Sequence, residues 1–492
     1  MKKPFNLLRT GNLMISSAVF SLLLVSCSKK DNSATNDQNQ VLADATTSTS
    51  GSTTSVLTRL AFPNATGFAK GTRGAYAKYE ASGNAADLPK ILYVDNLNDN
   101  GTGSLRAALA VTTPRIIIFR VGGTISLSST LVVKSPYVTI AGYTAPGGGI
   151  CIKGATLSIQ ASNVIVRNIR SRNGVYAPPH TTQATDGIGI SAEGTKISNV
   201  IIDHCSVSWA SDEQIGLNGT KGGLENVTIQ NSILAEGFQG HAFAILCNGA
   251  LGDAYHVKNI SVHRNVMVNC EGRNPRFGDY TTGSVINNLV HNWGSKASEY
   301  TDYTMGDVLY NKFKPGKNTT SGGLKKSIVF MWDGSTVKSN MYTSGNLNVG
   351  QSTALVEYPS GSGGLKALSA ASFYNSSVYG FTPTTDFTVL EKDLLPTAGA
   401  MPRDAVDARL ISQYINGTGV LISSAGTYPT LAKGTYPANN NGVSLAWLVS
   451  KGYATSTTAA ASLTASYLLN PSNGKTGYSI IEEYINDASI VK

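Results

Sequence analysis

The sequence predicts an all-β chain wound as a parallel β-helix, on three observations. Short β-branched runs recur: Tyr137-Val-Thr-Ile, Asn163-Val-Ile-Val, Asn199-Val-Ile-Ile, Asn226-Val-Thr-Ile and Asn259-Ile-Ser-Val start 26, 36, 27 and 33 residues apart. Each is apolar at alternate positions and gives way to Asn, Gly or Ser, which is strand followed by turn chemistry. Spacings of roughly 20 to 50 residues built from short strands mark a solenoid, whereas the strands of a sandwich come about every 8 to 12 residues. Several runs also continue directly into a second, as in Asn163-Val-Ile-Val-Arg-Asn-Ile-Arg and Asn199-Val-Ile-Ile-Asp-His-Cys-Ser-Val. Two or three strands per coil with polar corners let inward residues stack on neighbouring coils while loops of variable length project outward.

The elements follow in order along the chain. Residues 1 to 26 combine Lys2, Lys3 and Arg9 with the apolar stretch Leu13–Val25, which reads as a secretory signal rather than a membrane span of about 20 apolar residues. Ser26-Cys27 at the end of that stretch resembles a bacterial lipobox and implies that Cys27 carries a lipid. The protein is then exported and either anchored to the outer membrane, at the cell surface or periplasmic face, or secreted. Residues 27 to 58 are Ser, Thr, Asn, Asp and Gln with few large apolar side chains and predict a flexible tether. A β-helix domain is expected over 59–396, beginning at Leu60-Ala61-Phe62-Pro63 and carrying a short early helix at Ser104–Leu109. From 397 to 492 the pattern changes to helical starts, at Pro402-Arg-Asp, Ser444 to Gly452 and Tyr478 to Asn486, and predicts a C-terminal extension packed on the solenoid.

Composition excludes several classes. At 14% charged and 41% hydrophobic, the 492 residues can bury a core, and five cysteines are too sparse for a disulfide scaffold. Cys151, Cys205, Cys247 and Cys270 lack C-x-x-C spacing and suit buried small hydrophobes. The formal charge is +9; removing Lys2, Lys3 and Arg9 with the signal leaves 36 basic against 30 acidic residues, or +6. That excess is compatible with an acidic partner. No dense Lys/Arg run with interleaved aromatics is present, so no nucleic-acid partner is expected.

Candidate reactive groups sit where coils turn into loops: Asp186 in Ala-Thr-Asp-Gly, Asp203 and His204, Asp212 and Glu213 in Ser-Asp-Glu-Gln, and Arg273 and Arg276 in Gly-Arg-Asn-Pro-Arg-Phe. Stacking places residues of successive coils side by side, so these carboxylates can converge, and converging carboxylate oxygens suit a hard cation such as calcium. Two nearby arginines suit an anionic sugar. Structural readings compete at each position: an Asx turn at Asp186-Gly187, a surface turn at Arg273-Asn-Pro, a satisfied buried pair at Asp203-His204. His241, His256, His263 and His291 show no metal spacing.

At these residues the chain resembles polysaccharide lyase family 1, the pectate and pectin lyases. The likeness runs from about 60 to 300, through Asn98-Asp-Asn-Gly-Thr-Gly-Ser-Leu-Arg, Thr139-Ile-Ala-Gly-Tyr-Thr-Ala-Pro-Gly and Arg273-Asn-Pro-Arg-Phe. It recurs at Pro402-Arg-Asp-Ala-Val-Asp-Ala-Arg and Gly477-Tyr-Ser-Ile-Ile-Glu-Glu-Tyr-Ile-Asn. The resemblance implies a right-handed, pectin lyase-like β-helix that cleaves α-1,4-linked polygalacturonate by calcium-assisted β-elimination. The implied partner is an acidic plant cell-wall polysaccharide, met by a monomer that touches membrane only through its lipid. It matches Asp186 and Asp212 to Ca2+ ligands, Arg273 to the Brønsted base and Arg276 to a residue gripping a uronate carboxylate. Asp203 and His204 match a supporting network pair.

Two departures stand out. Gly216 falls where many relatives have a further calcium aspartate, leaving Glu213 to compensate, and a substrate lysine is missing near Gly237-Phe-Gln-Gly-His-Ala, leaving Gln239 or His241 to fill the space. These departures favour a calcium-independent pectin lyase as the nearest rival, with a non-catalytic glycan-binding β-helix as another. A hydrolase needs paired acids, and the Asn-Thr-Asp, Asp-Asp and Gly-His-Gly motifs of polygalacturonases are not found.

Overall fold

The computed structural model describes residues 59–174, 185–249, 256–301, 303–331, 339–351, 356–357, 369 and 371–490. The expected signal, the lipidation site Cys27 and the tether lie outside them. No helix among the described residues is long and apolar enough to cross a membrane.

Three parallel sheets form a β-solenoid. The first has ten strands, from Lys90–Val94 to Asn340–Ser344; the second and third have nine each, from Gly123–Ser126 to Leu347–Asn348 and from Leu131–Val133 to Val356–Glu357. Beyond the first pair, Lys90–Val94 with Arg115–Phe119, neighbours within each sheet are three strands apart in sequence, so each later coil donates one strand to each sheet. Inward residues stack in register: Ile140, Val166, Ile202, Ile229, Val262, Val285 and Val308 form one continuous interior row. All are essentially inaccessible to water, and burying each aliphatic side chain contributes about 1.5–3 kcal/mol.

The residues that open the recurring runs have a common conformation. Tyr137, Asn163, Asn199, Asn226 and Asn259 all lie at φ between 55° and 66°, the left-handed region that asparagine tolerates better than most residues. The four asparagines bond side chain to side chain in a ladder along the axis, at 3.3, 3.3 and 3.0 Å. The turn from first to second sheet is equally regular. In seven successive coils it spans two residues, the first being left-handed: Asn168, His204, Asn231, Arg264, Asn287, Tyr310 and Gly345.

The outer faces are covered by both chain ends. Ala61, Phe62, Ala65 and Ala69 pack on Ile165 and Ile201 of the first sheet. Helices Phe387–Leu394 and Ala405–Asn416 bury Leu390, Leu394, Leu410 and Tyr414 against Ile233, Val266 and Leu289 of the second. Helices Leu445–Ser450 and Ile480–Asn486 close over Ile116 and Ile118, the latter opened by a Ser479/Glu482 capping box. The early helix spans Leu105–Ala110 with Ser104 as its cap. Among the described residues the last solenoid strand ends at Glu357 and helices follow from Ser376. The four cysteines in the solenoid are free and buried.

Candidate active site

The corner between the second and third sheets gathers the acids. Asp186 precedes the strand Ile188–Ser191, and its carbonyl accepts from Thr156 Oγ1 at 2.7 Å and Asn173 Nδ2 at 2.6 Å. One coil on, Asp212 and Glu213 start the strand Glu213–Asn218, tied to the previous coil by the Asp212 N–H donating to Thr185 O at 3.2 Å. Gly189 pairs with Gly216 across these strands. A Cβ at Gly216 would stand 2.2 Å from Asp186 Oδ2, whereas one at Gly189 would stand at 3.6 Å. The Asp186 carboxylate therefore occupies the space that a side chain at 216 would fill.

Glu213 joins this cluster rather than pointing away from it. Its backbone N–H and its carboxyl both bond Asp186, and the carboxyl also bonds Asp212. Its partner on the other side is the guanidinium of Arg273, two coils further along, which also lies 4.0 Å from the centre of the Phe243 ring. Arg273 is itself left-handed, at φ 52°, in a turn pinned by Asn274 N–H donating to Ala297 O at 2.8 Å. His241, expected at the substrate, instead pairs through Nδ1 with Asp212 and stands edge-on to Phe243 at 4.5 Å. Gln239 is exposed at the tip of the same turn.

The electrostatics show what the cluster lacks. Desolvation, reinforced by the charge of Asp212, pushes Asp186 above the usual carboxylate range. Desolvation also pushes Glu213 up, with the bond to Asp212 and the two neighbouring charges adding to it. Against desolvation, the bonds from His241 and Glu213 hold Asp212 below its ordinary value. Three acids face one guanidinium and one imidazole, so a further positive charge is what would let all three ionise together. Asp212, Glu213 and His241 place potential ligand atoms within 4.8 Å of one another. The carboxylates of Asp186, Asp212 and Glu213 are the oxygen donors a hard divalent cation takes, while the His241 nitrogen is not such a donor, so the residues fit calcium.

Arg276, in the strand Arg276–Phe277, lies in register with Leu246 and Glu299 and approaches Glu299 Oε2 at 3.8 Å. Lys296 Nζ sits 3.2 Å from the other oxygen of Glu299. Sequence reasoning missed Lys296, Glu299 and Phe243, since none lies in a motif and only the coil register brings them here. Asp203 and His204, matched to a network pair, stand at a different corner from the acids. Asp203 is fully buried at the turn between first and second sheets, accepting from Arg167 Nε at 2.8 Å, Gln230 Nε2 at 2.8 Å and Asn231 Nδ2 at 3.1 Å, with His204 Nδ1 at 2.8 Å.

Comparison with known proteins decides the family. The chain is 34% identical over 367 residues to a probable pectate lyase C of Emericella nidulans, covering 74% of this chain and 78% of that one. It is 34% identical over 391 residues to the probable pectate lyase C of Neosartorya fischeri, covering 77% and 84%. The chain belongs to the pectate lyase family. The solved structure of the major allergen from cedar pollen aligns at 20% identity and a TM-score of 0.49, covering 68% of this chain and 93% of that one. No family model matches. In this pectate lyase family member the matched span is long enough to include the acidic corner as well as the solenoid that builds it.

Proposed function

We propose that the protein is a calcium-dependent pectate lyase that cleaves α-1,4-linked polygalacturonate by β-elimination, leaving 4,5-unsaturated oligogalacturonides. The observation that carries this reading is the meeting of Asp186, Asp212 and Glu213 with Arg273 at one corner in a member of this family. Asp186, Asp212 and Glu213 would hold Ca2+. Bound there, calcium would neutralise the substrate carboxylate and stabilise charge developing beside it.

The chain's own residues do the rest. Breaking the bond beside a uronate requires removal of the proton at C5, and Arg273 is the base assigned to take it. Glu213 and the Phe243 ring fix its guanidinium from two sides, so the reacting nitrogen is positioned before substrate arrives. An arginine ordinarily keeps its proton up to about pH 12.5 or beyond, so turnover is expected to rise into alkaline pH. Arg276, with Lys296 beside it, presents positive charge to a uronate carboxylate two coils beyond Asp212. His241 holds Asp212 in place, and Gln239 at the exposed tip is offered to the sugar.

The assay is release of ultraviolet-absorbing unsaturated product from polygalacturonate at alkaline pH. Wild type with calcium should produce it; wild type with chelator and Arg273→Ala should not. A chelator-resistant signal would refute the calcium role, and no product on polygalacturonate the activity. The proposal extends to export and lipid attachment at Cys27, after cleavage of residues 1–26. A Cys27→Ser protein that still partitions with membranes and takes up a fatty-acid label would refute it.

A further inference from the structure

The C-terminal extension contributes a strap that starts at the catalytic corner and crosses the second sheet to the turns between first and second sheets. From residue 418 to 433 it crosses successive coils. His291 Nε2 lies 2.8 Å from Thr418 O; Gln239 N–H donates to Ile422 O at 2.7 Å; Gly148 N–H donates to Ala432 O at 2.8 Å; Gly122 N–H donates to Lys433 O at 3.1 Å. Phe238 and Ile422 form a parallel bridge. Midway, Tyr428 donates its hydroxyl to Arg172 O at 2.8 Å, stands edge-on to Trp209 at 4.9 Å and lies over Gly174, where a Cβ would strike its oxygen. The strap thus borders the same corner that holds Asp186, Asp212 and the Gln239–His241 turn.

At this border lies a cation that the proposed mechanism does not use. Lys153 ends the strand Ile150–Lys153, whose alternate residues Ile150 and Ile152 point into the core, so Lys153 faces outward. It is half-buried, and its ammonium sits 4.8 Å over the ring of Tyr428; no carboxylate pairs with it among the described residues. It is close to the acids. Gly154 N–H donates to Asn173 O at 2.9 Å, and Asn173 and Thr156 both donate to the carbonyl of Asp186. Thr156 is three positions on from Lys153, a reach of about 10 Å at most.

We infer that Lys153, steadied by Tyr428 of the strap, is a specificity residue that binds a uronate carboxylate on the side of the acidic cluster opposite Arg276. Its coil is that of the strand Leu157–Ile159, four strands in the third sheet before Arg276–Phe277. At about 4.8 Å per strand, the two cations lie roughly 19 Å apart along the axis, with the carboxylates between them. A polyanionic chain lying along the corner meets a cation at each end. The neutral ring of Tyr428 confines the ammonium without neutralising it. This inference rests on the proposed polygalacturonate reading.

The test compares wild type, Lys153→Ala, Lys153→Arg and Tyr428→Ala in the full chain. Turnover of polygalacturonate is measured, and retardation in a native gel containing polygalacturonate reads binding independently of turnover. Lys153→Ala should raise KM about tenfold while kcat stays within about twofold, the scale of losing one charge-assisted contact. Lys153→Arg should restore most of it, Tyr428→Ala should weaken binding in the same sense, and the difference from wild type should shrink in high salt. Unchanged KM and gel mobility in Lys153→Ala would overturn the inference, as would an equal loss rescued by neither Arg nor salt. Absence of product from wild type would instead fail the functional reading, with gel mobility still deciding the role of Lys153.

Discussion

Adding a single methyl group at Gly216 should cripple the site while leaving the fold intact. The backbone there is ordinary extended strand, so alanine carries no conformational penalty and even reduces the freedom of the unfolded chain, by about 0.5–1 kcal/mol. The added carbon, however, would lie 2.2 Å from Asp186 Oδ2 and 2.8 Å from its Cγ. Ordinary contact begins at 3.4 Å, so the oxygen must retreat by 1.2 Å, the difference between 3.4 and 2.2. A misplacement of about 1 Å in a catalytic constellation costs on the order of a hundredfold in rate. We expect kcat/KM on polygalacturonate to fall about that much, with a higher calcium concentration needed for half-maximal activity and an unchanged or raised Tm. Gly189→Ala is the internal control: it pairs directly with Gly216, yet its Cβ would be 3.6 Å from the same oxygen, and activity should survive. Gly216→Asp, which restores the aspartate of many relatives, should inactivate rather than improve the enzyme. Activity and calcium requirement in Gly216→Ala within twofold of wild type, or equal losses in both alanine variants, would refute the reasoning.

The remaining predictions concern stability. Asp407 is buried with Arg172 Nη2 at 2.7 Å and Ser206 Oγ at 2.7 Å, so Asp407→Ala leaves Arg172 and Arg170 sharing the single carboxylate of Asp404 and should cost about 1.5–3 kcal/mol, read by chemical denaturation. Asp307 accepts from Ser372 Oγ and the Phe373 N–H through one oxygen while the other finds no partner among the described residues, and desolvation raises it to about 6. The folded state therefore binds that proton more tightly than the unfolded chain, and its contribution is present below about pH 4 and lost as pH rises through 6. The shift from 3.8 is worth about 3 kcal/mol, and Asp307→Asn should flatten the stability profile across that window; an unchanged slope would refute it. Asn226→Ala loses two ladder bonds and places a Cβ at φ 55°, so it should destabilise more than Asn226→Gly, by about 0.5–1 kcal/mol in thermal melts.

Much of the solenoid was legible because its constraints are local. The asparagines opening the repeated runs are visible in sequence, and the left-handed turn they serve is a property of a single residue. The acids at 186, 212 and 213 were legible because they stand beside those runs, at the ends of strands. What could not be read was lateral register. Glu213 is one residue from Asp212, and only the meeting of three coils shows that its carboxyl closes the cluster and holds Arg273. The same holds for Gly216, where an apparent loss in sequence is a space occupied by a side chain thirty positions earlier. For Asp203-His204, proximity in sequence to Asp212 says nothing about which of three corners the pair occupies, and only the coil register places it at another one.

The two kinds of corner explain where chemistry could accumulate. Between the first and second sheets seven coils turn in two residues each, and a side-chain row through Asn265, Asn288, Asn311 and Asn346 links the last four at 2.9–3.1 Å. A corner of fixed length with a bonded side-chain row pins the register of each coil on the next. Between the second and third sheets the connection ranges from three residues, Gly154–Thr156, to fifteen, residues 173–187. Length can vary there because the opposite corner already holds the coils in place, much as rigid scaffolds free their loops for function. The acids, Arg273, His241 and Lys153 all stand at this variable corner, and the strap of the C-terminal extension borders it through Ile422 and Tyr428. Changes at the two-residue corner should therefore be felt as stability, and changes at the variable corner as activity.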